Sequence, residues 1–137
     1  MGEQRRIKVG ILALQGGVIE HERATRQALQ SLKMAGDVIF VRTKDEVKNL
    51  DALIIPGGES TVFYKLVESA GIFQEIKKIK NIFGTCAGAI LLARRIKNKI
   101  KGQKSLSLMN IEVDRNAYGT QGESFEEEIV TKLGRIN

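Results

Sequence analysis

The stretch that most constrains the fold is residues 81–93, where the sequence predicts a buried strand, a sharp turn and a buried helix in succession. Gly84 and Gly88 flank Cys86 in the spacing of a nucleophile elbow, a strained strand-to-helix turn whose neighbours must be small. Such a turn exposes the thiol, the helix N-terminus favours its thiolate, and the Ala87 amide can stabilise an oxyanion. The alternative is a small, buried, apolar cysteine.

Length and cysteine content narrow the class of protein. We expect one domain spanning residues 1–137, large enough to bury roughly two thirds of its unfolded surface. A single cysteine forms no internal disulfide, and residues 1–6 lack an apolar signal segment, so we expect a reducing, cytoplasmic setting. No apolar run approaches membrane-spanning length. The sequence has a single histidine and a single cysteine, too few ligands for a Cys/His zinc site. We therefore expect neither membrane contact nor a bound metal.

The net charge of +6 comes from one segment. Six basic residues and no acidic residue lie between Arg94 and Lys104, and the remaining 16 basic residues balance the 16 acidic ones. A basic tract without interleaved aromatic residues is typical of a solvated loop or helix end, and phosphate or nucleic-acid binding is the less favoured alternative. We therefore expect no nucleic-acid partner.

Apolar runs and helical patterns alternate along most of the chain. Strands are predicted at residues 7–14, 37–41, 52–55 and from 81, and helices at 19–34, 43–47, 62–69, 73–79 and from the elbow to 93. This alternation predicts an α/β domain with a doubly wound, mostly parallel sheet. Later strand-like runs at 106–113 and 124–131 are expected to lie antiparallel at its edge.

A second chemical feature follows the predicted strand at 52–55. The segment 56–61 reads Pro-Gly-Gly-Glu-Ser-Thr, whose two glycines let the backbone approach a ligand, and Ser60 or Thr61 can cap the next helix. Ligands of open α/β sheets bind at the carboxyl ends of the strands, so this loop and Cys86 belong on the same edge. A plain strand-to-helix turn is the alternative.

These segments together resemble the triad (class I) glutamine amidotransferases, and among them the glutaminase subunits of pyridoxal 5′-phosphate synthase. The matching segments are residues 10–16 with Glu20-His21, residues 56–61, residues 84–88, and residues 115–119 followed by 124–126. The elbow is shared with the wider class, whereas the segments at 56–61 and 115–119 are more specific to the vitamin B6 branch. The resemblance implies a three-layer, flavodoxin-like fold and no cofactor.

The resemblance also implies roles for individual residues. Cys86 would attack the carboxamide of L-glutamine and form a glutamyl thioester with release of ammonia, while the amides of Gly58 and Ala87 stabilise the oxyanion. The glutamine pocket would be lined by Gly57, Gly58, Glu59 and Arg115, and the guanidinium of Arg115 suits the substrate carboxylate because it binds carboxylates as a bidentate fork.

A partner is implied as well. Gln15, Glu20 and His21 fall in the region where the family contacts the barrel-shaped synthase subunit. That subunit would use the ammonia with ribose 5-phosphate and glyceraldehyde 3-phosphate to make pyridoxal 5′-phosphate.

One part of the family pattern does not match. The family's general base is a His followed two residues later by a Glu, near the end of a longer chain, and the only histidine here is His21, which matches an interface position. We therefore interpret the 137 residues as the N-terminal two thirds of a glutaminase domain whose C-terminal portion is incomplete. The alternatives are a truncated, non-catalytic subunit that binds the synthase or glutamine without hydrolysis, and another elbow-bearing cysteine hydrolase.

Overall fold

The computed structural model describes residues 5–118 and 126–136. The strands are β1 (Ile7–Leu12), β2 (Gly36–Val41), β3 (Ala52–Ile55), β4 (Asn81–Gly84), β5 (Ala93–Lys97), β6 (Met109–Asp114), β7 (Ile129–Thr131) and β8 (Gly134–Ile136). The helices are α1 (Val18–Ser31), α2 (Lys44–Val47), α3 (Ser60–Ser69), α4 (Phe73–Ile76) and α5 (Ala87–Leu92). No helix in these two ranges has the length and apolar character needed to span a bilayer.

The main sheet has four parallel strands in the order β2-β1-β3-β4. Gly10 of β1 is flanked by Ile39 of β2 on one side and by Leu53 of β3 on the other. The chain thus runs outward from β1 to β2 and then crosses to the other side of β1, as in flavodoxin-like sheets. The predicted doubly wound, mostly parallel α/β fold is confirmed.

The largest hydrophobic cluster covers one face of this sheet. Alternate strand residues such as Leu12, Val41, Leu53 and Ile55 pack there against side chains of α2, α3, α4 and α5. Helix α1 contacts β1 and β2 but contributes no residue to that cluster. Ile11 of β1 is fully buried, although it is not part of the cluster either. Because side chains of a strand alternate between faces, α1 forms a third layer on the opposite face.

The chain after the elbow departs from the sequence prediction. Helix α5 ends at Leu92, one residue short of the predicted Ala93, and the basic tract begins as strand β5 instead of a loop or helix end. Strand β5 pairs with β6 in parallel to form a separate two-stranded sheet, so the predicted antiparallel edge is wrong for β6.

The last described strands form a small hairpin. Strands β7 and β8 are antiparallel. The strand or hairpin arm predicted at 124–131 is therefore present at Ile129–Thr131, while residues 124 and 125 lie outside the described ranges.

Candidate active site

Three loops meet at the carboxyl edge of the sheet. They follow β1, β3 and β4, and the first two flank the crevice where the strand order reverses. In open α/β sheets this crevice is the usual ligand site, because the loops on its two sides diverge. The sequence prediction that the loop at 56–61 and the Cys86 elbow share one edge is therefore correct.

The elbow holds Cys86 in a strained conformation. Its backbone angles are φ 50° and ψ −116°, in a region that residues other than glycine seldom adopt. Two backbone hydrogen bonds fix the turn: Thr85 N–H donates to the Ile55 carbonyl at 3.1 Å, and Gly88 N–H donates to the Thr85 carbonyl at 2.8 Å. The thiol is exposed, so the alternative of a buried apolar cysteine is wrong. Strain of this kind costs on the order of 1–3 kcal/mol and is concentrated at functional sites.

Small residues let the elbow helix approach the sheet. A Cβ added at Gly88 would lie 2.1 Å from the Ile55 carbonyl oxygen, and one added at Gly84 would lie 2.7 Å from the Gly88 backbone. The glycines on either side of Cys86 are therefore required by backbone contacts, as the elbow spacing predicts. Ala87, the first residue of α5, is 1% exposed and lies directly behind the nucleophile.

The loop after β3 packs against the nucleophile. A Cβ on Gly57 would lie 2.7 Å from Cys86 Cβ, and the thiol lies 3.9 Å from the Gly58 carbonyl oxygen. That carbonyl belongs to the peptide unit after the one that carries the Gly58 N–H. The contact therefore leaves the oxyanion roles of the Gly58 and Ala87 amides as predictions.

The capping prediction for α3 needs correction. Helix α3 begins at Ser60 and its N-cap is Glu59, whose carboxylate accepts hydrogen bonds from the backbone N–H groups of Thr61 at 3.0 Å and Val62 at 2.8 Å. Neither Ser60 nor Thr61 is the N-cap, because both lie inside the helix, where their hydroxyls accept hydrogen bonds from Arg115. The amides of Val62 and Thr61 hold the pKa of Glu59 below its ordinary value.

Arg115 joins the site from the turn after β6. Its Nε donates to Ser60 Oγ at 3.0 Å and its Nη2 donates to Thr61 Oγ1 at 3.2 Å, and Nη2 lies 3.6 Å from Glu59 Oε1. The Arg115 side chain is 21% exposed. These hydrogen bonds anchor the guanidinium to α3, and the carboxylate of Glu59 lies beside it.

Four of the predicted catalytic and substrate-binding residues, Cys86, Gly58, Glu59 and Arg115, line one cleft of about 470 Å³, whereas Ala87 does not line it. It is lined by Gly58, Glu59, Ser60, Cys86, Ile90, Arg115 and Asn116. Gly57 contacts Cys86 but does not line this cleft. The sequence reasoning missed Ser60, Ile90 and Asn116 as lining residues, although each is within four residues of a predicted one.

The predicted partner-facing residues lie beside the elbow. Gln15 Nε2 donates to the Glu59 carbonyl at 2.8 Å, and His21 Nε2 lies 2.9 Å from Thr85 Oγ1, in a partly buried hydrogen bond. Glu20 is exposed in the first turn of α1. The loop after β1 therefore contacts the segment 56–61, and helix α1 contacts the residue before the nucleophile, while a role for Gln15, Glu20 and His21 in binding a partner stays a prediction.

No metal site accompanies this cleft in the part of the chain that the structure describes. Nowhere in 5–118 or 126–136 do three or more His, Cys, Asp or Glu side chains form a group that could hold a metal ion. The chemistry carried by the described residues is that of an exposed thiol beside an arginine and a carboxylate.

The chain is similar to known proteins in both sequence and fold. The model of the SNO glutamine amidotransferase family matches residues 11–134. The chain is 44% identical over 124 residues to the pyridoxal 5′-phosphate synthase subunit PdxT of Pyrococcus horikoshii and, over the same length, 44% identical to that of Thermococcus kodakarensis; each alignment covers 88% of this chain and 63% of the relative. A crystal structure of a glutamine amidotransferase superposes with a TM-score of 0.72 at 43% identity, covering 93% of this chain and 67% of that one.

These matches cover nearly all of the chain, and they include the elbow, the loop at 56–61 and the turn that carries Arg115. The chain spans 63% of the length of the two curated relatives. It belongs to the SNO glutamine amidotransferase family.

Proposed function

We propose that this chain carries the nucleophile and the substrate pocket of a glutaminase that hydrolyses L-glutamine to glutamate and ammonia. The observation that carries the proposal is the strained, exposed Cys86, which opens into the same cleft as Glu59 and Arg115. An exposed thiol held by strain, with a cation and an anion beside it, suits a substrate that is an amino-acid zwitterion with a carboxamide at its far end.

Binding would use the two charges of the cleft. The guanidinium of Arg115 is already fixed by Ser60 and Thr61, so it can bind the α-carboxylate of glutamine with little loss of side-chain freedom. The carboxylate of Glu59 lies on the same wall and is charged at neutral pH, since its pKa is lowered, so it can attract the α-ammonium group. The carboxamide is then directed toward Cys86.

The reaction would proceed through a covalent intermediate. The Cys86 thiolate attacks the carboxamide carbon, the oxyanion is held by the amides of Gly58 and Ala87, and the C–N bond breaks as the leaving nitrogen takes a proton and departs as ammonia. Water then attacks the thioester carbon, and glutamate and the free thiol are released. Both steps require a general base.

The proposal assigns that base to a group outside these 137 residues. His21 is the only imidazole, and its Nε2 is bound to Thr85 Oγ1 and not to the Cys86 thiol. Proton transfer from Cys86 and to ammonia would then depend on a further segment of chain that reaches the cleft.

The proposal includes a partner. Two relatives are named as the PdxT subunit of pyridoxal 5′-phosphate synthase, so the ammonia would pass to a synthase subunit that incorporates it into vitamin B6. Gln15, Glu20 and His21 are the proposed contacts, since Gln15 is bonded to Glu59, His21 to Thr85, and Glu20 is exposed in the first turn of the same helix as His21. A cytoplasmic setting belongs to the same proposal because Cys86 must remain a reduced thiol.

A non-catalytic subunit that only binds glutamine or the synthase is the competing function. It is less favoured because a binding role gives no reason for the positive φ of Cys86, which an ordinary helix N-cap would relax. Only the catalytic function releases ammonia and glutamate.

The test is ammonia release from L-glutamine by the protein that contains these 137 residues together with the segment that supplies the general base, mixed with its synthase partner. We expect turnover that Cys86→Ala abolishes while the circular dichroism spectrum is unchanged. Glutamine binding by calorimetry without ammonia release, in the presence of the synthase, would establish the non-catalytic function and refute the proposal.

A further inference from the structure

A second cleft, which Cys86 does not line, lies along the basic tract Arg94 to Lys104. It has a volume of about 520 Å³ and four cationic side chains line it: Arg94, Arg95, Lys99 and Lys104. Neighbouring residues of a regular strand point to opposite faces, yet Arg94 and Arg95 both line this cleft. The register of β5 and β6 shifts by one residue at this position, since Ala93 pairs with Met109 and Arg95 with Glu112.

The positive charge of this cleft is not balanced by the residues that surround it. Glu112 is the one acidic residue among the described residues that line it, and its carboxylate is already paired with Lys97 at 3.1 Å. Arg94 donates to the neutral Asn110 side chain at 3.2 Å. Within the described ranges, Arg95, Lys99 and Lys104 have no carboxylate within 4.0 Å. Like charges gathered in a concave site raise the local potential and concentrate anions.

The walls of the cleft are fixed by the core. Gln103 is 4% exposed, and its side-chain oxygen accepts the Ile100 N–H at 3.2 Å, which closes the turn between Lys99 and Lys104. Leu106 is 2% exposed, and its N–H donates to the Leu91 carbonyl of α5 at 2.7 Å. The cations therefore project from an anchored segment, and their convergence is part of the fold.

Two hydroxyl groups complete the lining. Ser105 Oγ and Ser107 Oγ lie 3.4 Å apart on either side of the anchored Leu106, and both line the cleft. Hydroxyls beside guanidinium and ammonium groups provide the donors that phosphate oxygens accept, and guanidinium binds phosphate as a bidentate fork. A volume of about 520 Å³ is that of a small-molecule site.

We propose that this cleft, formed by Arg94, Arg95, Lys99, Lys104, Ser105 and Ser107, is a binding site for a phosphate group, either free or as the phosphate monoester of a small molecule. The inference does not depend on glutaminase activity. The two clefts share no lining residue.

The test is a titration of the full-length protein with inorganic phosphate and with glycerol 3-phosphate at constant ionic strength, followed by calorimetry and by amide NMR shifts. We expect saturable binding that shifts the amides of Ser105 and Ser107. The variant Arg95→Gln/Lys99→Gln/Lys104→Gln should bind at least about tenfold more weakly, since each substitution removes a charged donor for the phosphate oxygens. Tighter binding of the monoester than of free phosphate would identify a small molecule as the source of the group.

The matched control removes the same charge elsewhere. Arg23, Lys65 and Lys80 are exposed and line neither cleft, so Arg23→Gln/Lys65→Gln/Lys80→Gln should bind phosphate as the unmodified protein does. Equal weakening in both triple variants would mean a general charge effect and would overturn the proposal. So would the absence of saturable binding, or a mixed-sequence single-stranded oligonucleotide that binds through the cleft far more tightly than either phosphate.

Discussion

Replacement of Gly88 by alanine tests why position 88 requires glycine: because a side chain would collide with the neighbouring strand, or because of the backbone freedom of glycine. Gly88 lies in helix α5, where alanine is intrinsically favoured over glycine by about 0.5–1 kcal/mol. On helix propensity alone, Gly88→Ala should therefore stabilise the protein. The contact predicts the opposite sign.

The added methyl group would lie 2.1 Å from the Ile55 carbonyl oxygen and 2.8 Å from the Ile55 carbonyl carbon. Cβ contacts under 3.0 Å are essentially never found in proteins, so α5 would have to move away from β3 by about 1 Å. Overpacking typically costs about 1–3 kcal/mol, and the upper end applies because backbone cannot rotate aside. After subtracting the propensity gain, we expect a net loss of about 2 kcal/mol.

Urea unfolding followed by circular dichroism measures this loss as a lower midpoint at unchanged slope. Ala89→Gly, in the same helix, is the control: it should destabilise by about 0.5–1 kcal/mol through propensity alone. If Gly88→Ala proved as stable as the unmodified protein or more so, the close approach of α5 to β3 would be refuted, together with the steric reason for the Gly-x-Cys-x-Gly spacing.

Three further predictions concern the cleft and the loops around it. Arg115→Ala should weaken glutamine binding by about 2–4 kcal/mol, as measured by calorimetry, with partial recovery in Arg115→Lys; unchanged affinity would remove Arg115 from the pocket. The pKa of Glu59 is lower in the folded state than in the unfolded state, so the charged carboxylate stabilises the fold above its ordinary pKa, and this contribution is lost as pH falls through the lowered pKa. The difference in unfolding free energy between the unmodified protein and Glu59→Gln should therefore shrink from pH 6 to pH 3 in urea titrations. A difference that stays constant with pH would contradict this role of Glu59. His21→Ala and Thr85→Val should each destabilise by about 0.5–1.5 kcal/mol, and the double variant should show coupling, whereas full additivity would mean that their hydrogen bond contributes nothing.

The sequence was sufficient for the main sheet and for the elbow. Apolar runs of strand length separated by helical patterns predicted β1 to β4 within two residues at each end, because each strand is a short apolar run bounded by polar or glycine-containing segments. The elbow was predicted from spacing alone, since only small residues fit where the helix meets the strand.

Later elements were harder to predict because their partners are distant in the chain. Strand β5 consists largely of basic residues, and it is a strand because it pairs with β6. Local composition does not reveal such a pairing between segments that are distant in the chain. The N-cap at Glu59 was missed for a related reason. Ser60 and Thr61 are better caps by type, but the helix already begins at Ser60, so the carboxylate of Glu59 accepts from the amides of Thr61 and Val62 while both hydroxyls accept from the distant Arg115.

The convergence of site residues was predictable only in part. Cys86 and Glu59 follow neighbouring parallel strands and so had to meet at one sheet edge. Arg115 reaches the same cleft from β6, whose position no local pattern predicts; the resemblance to a family supplied it. The hydrogen bond between His21 of α1 and Thr85 had no sequence signal beyond the fact that α1 follows β1 and Thr85 follows β4, so that both start from the same edge of the sheet.

The central claim is that Cys86 is a glutamine-directed nucleophile, and covalent labelling tests it most directly. The protein is treated with a glutamine-analogue electrophile, digested, and mapped by mass spectrometry, with iodoacetamide as a reagent that carries no glutamine-like group. We expect a single adduct on the peptide that contains Cys86, formed more slowly when L-glutamine is present and more slowly in Arg115→Ala, while Arg115→Ala leaves the rate of iodoacetamide labelling unchanged. A Cys86 that stays unmodified in the folded protein, or that reacts with the analogue at a rate indifferent to both glutamine and Arg115, would contradict the claim.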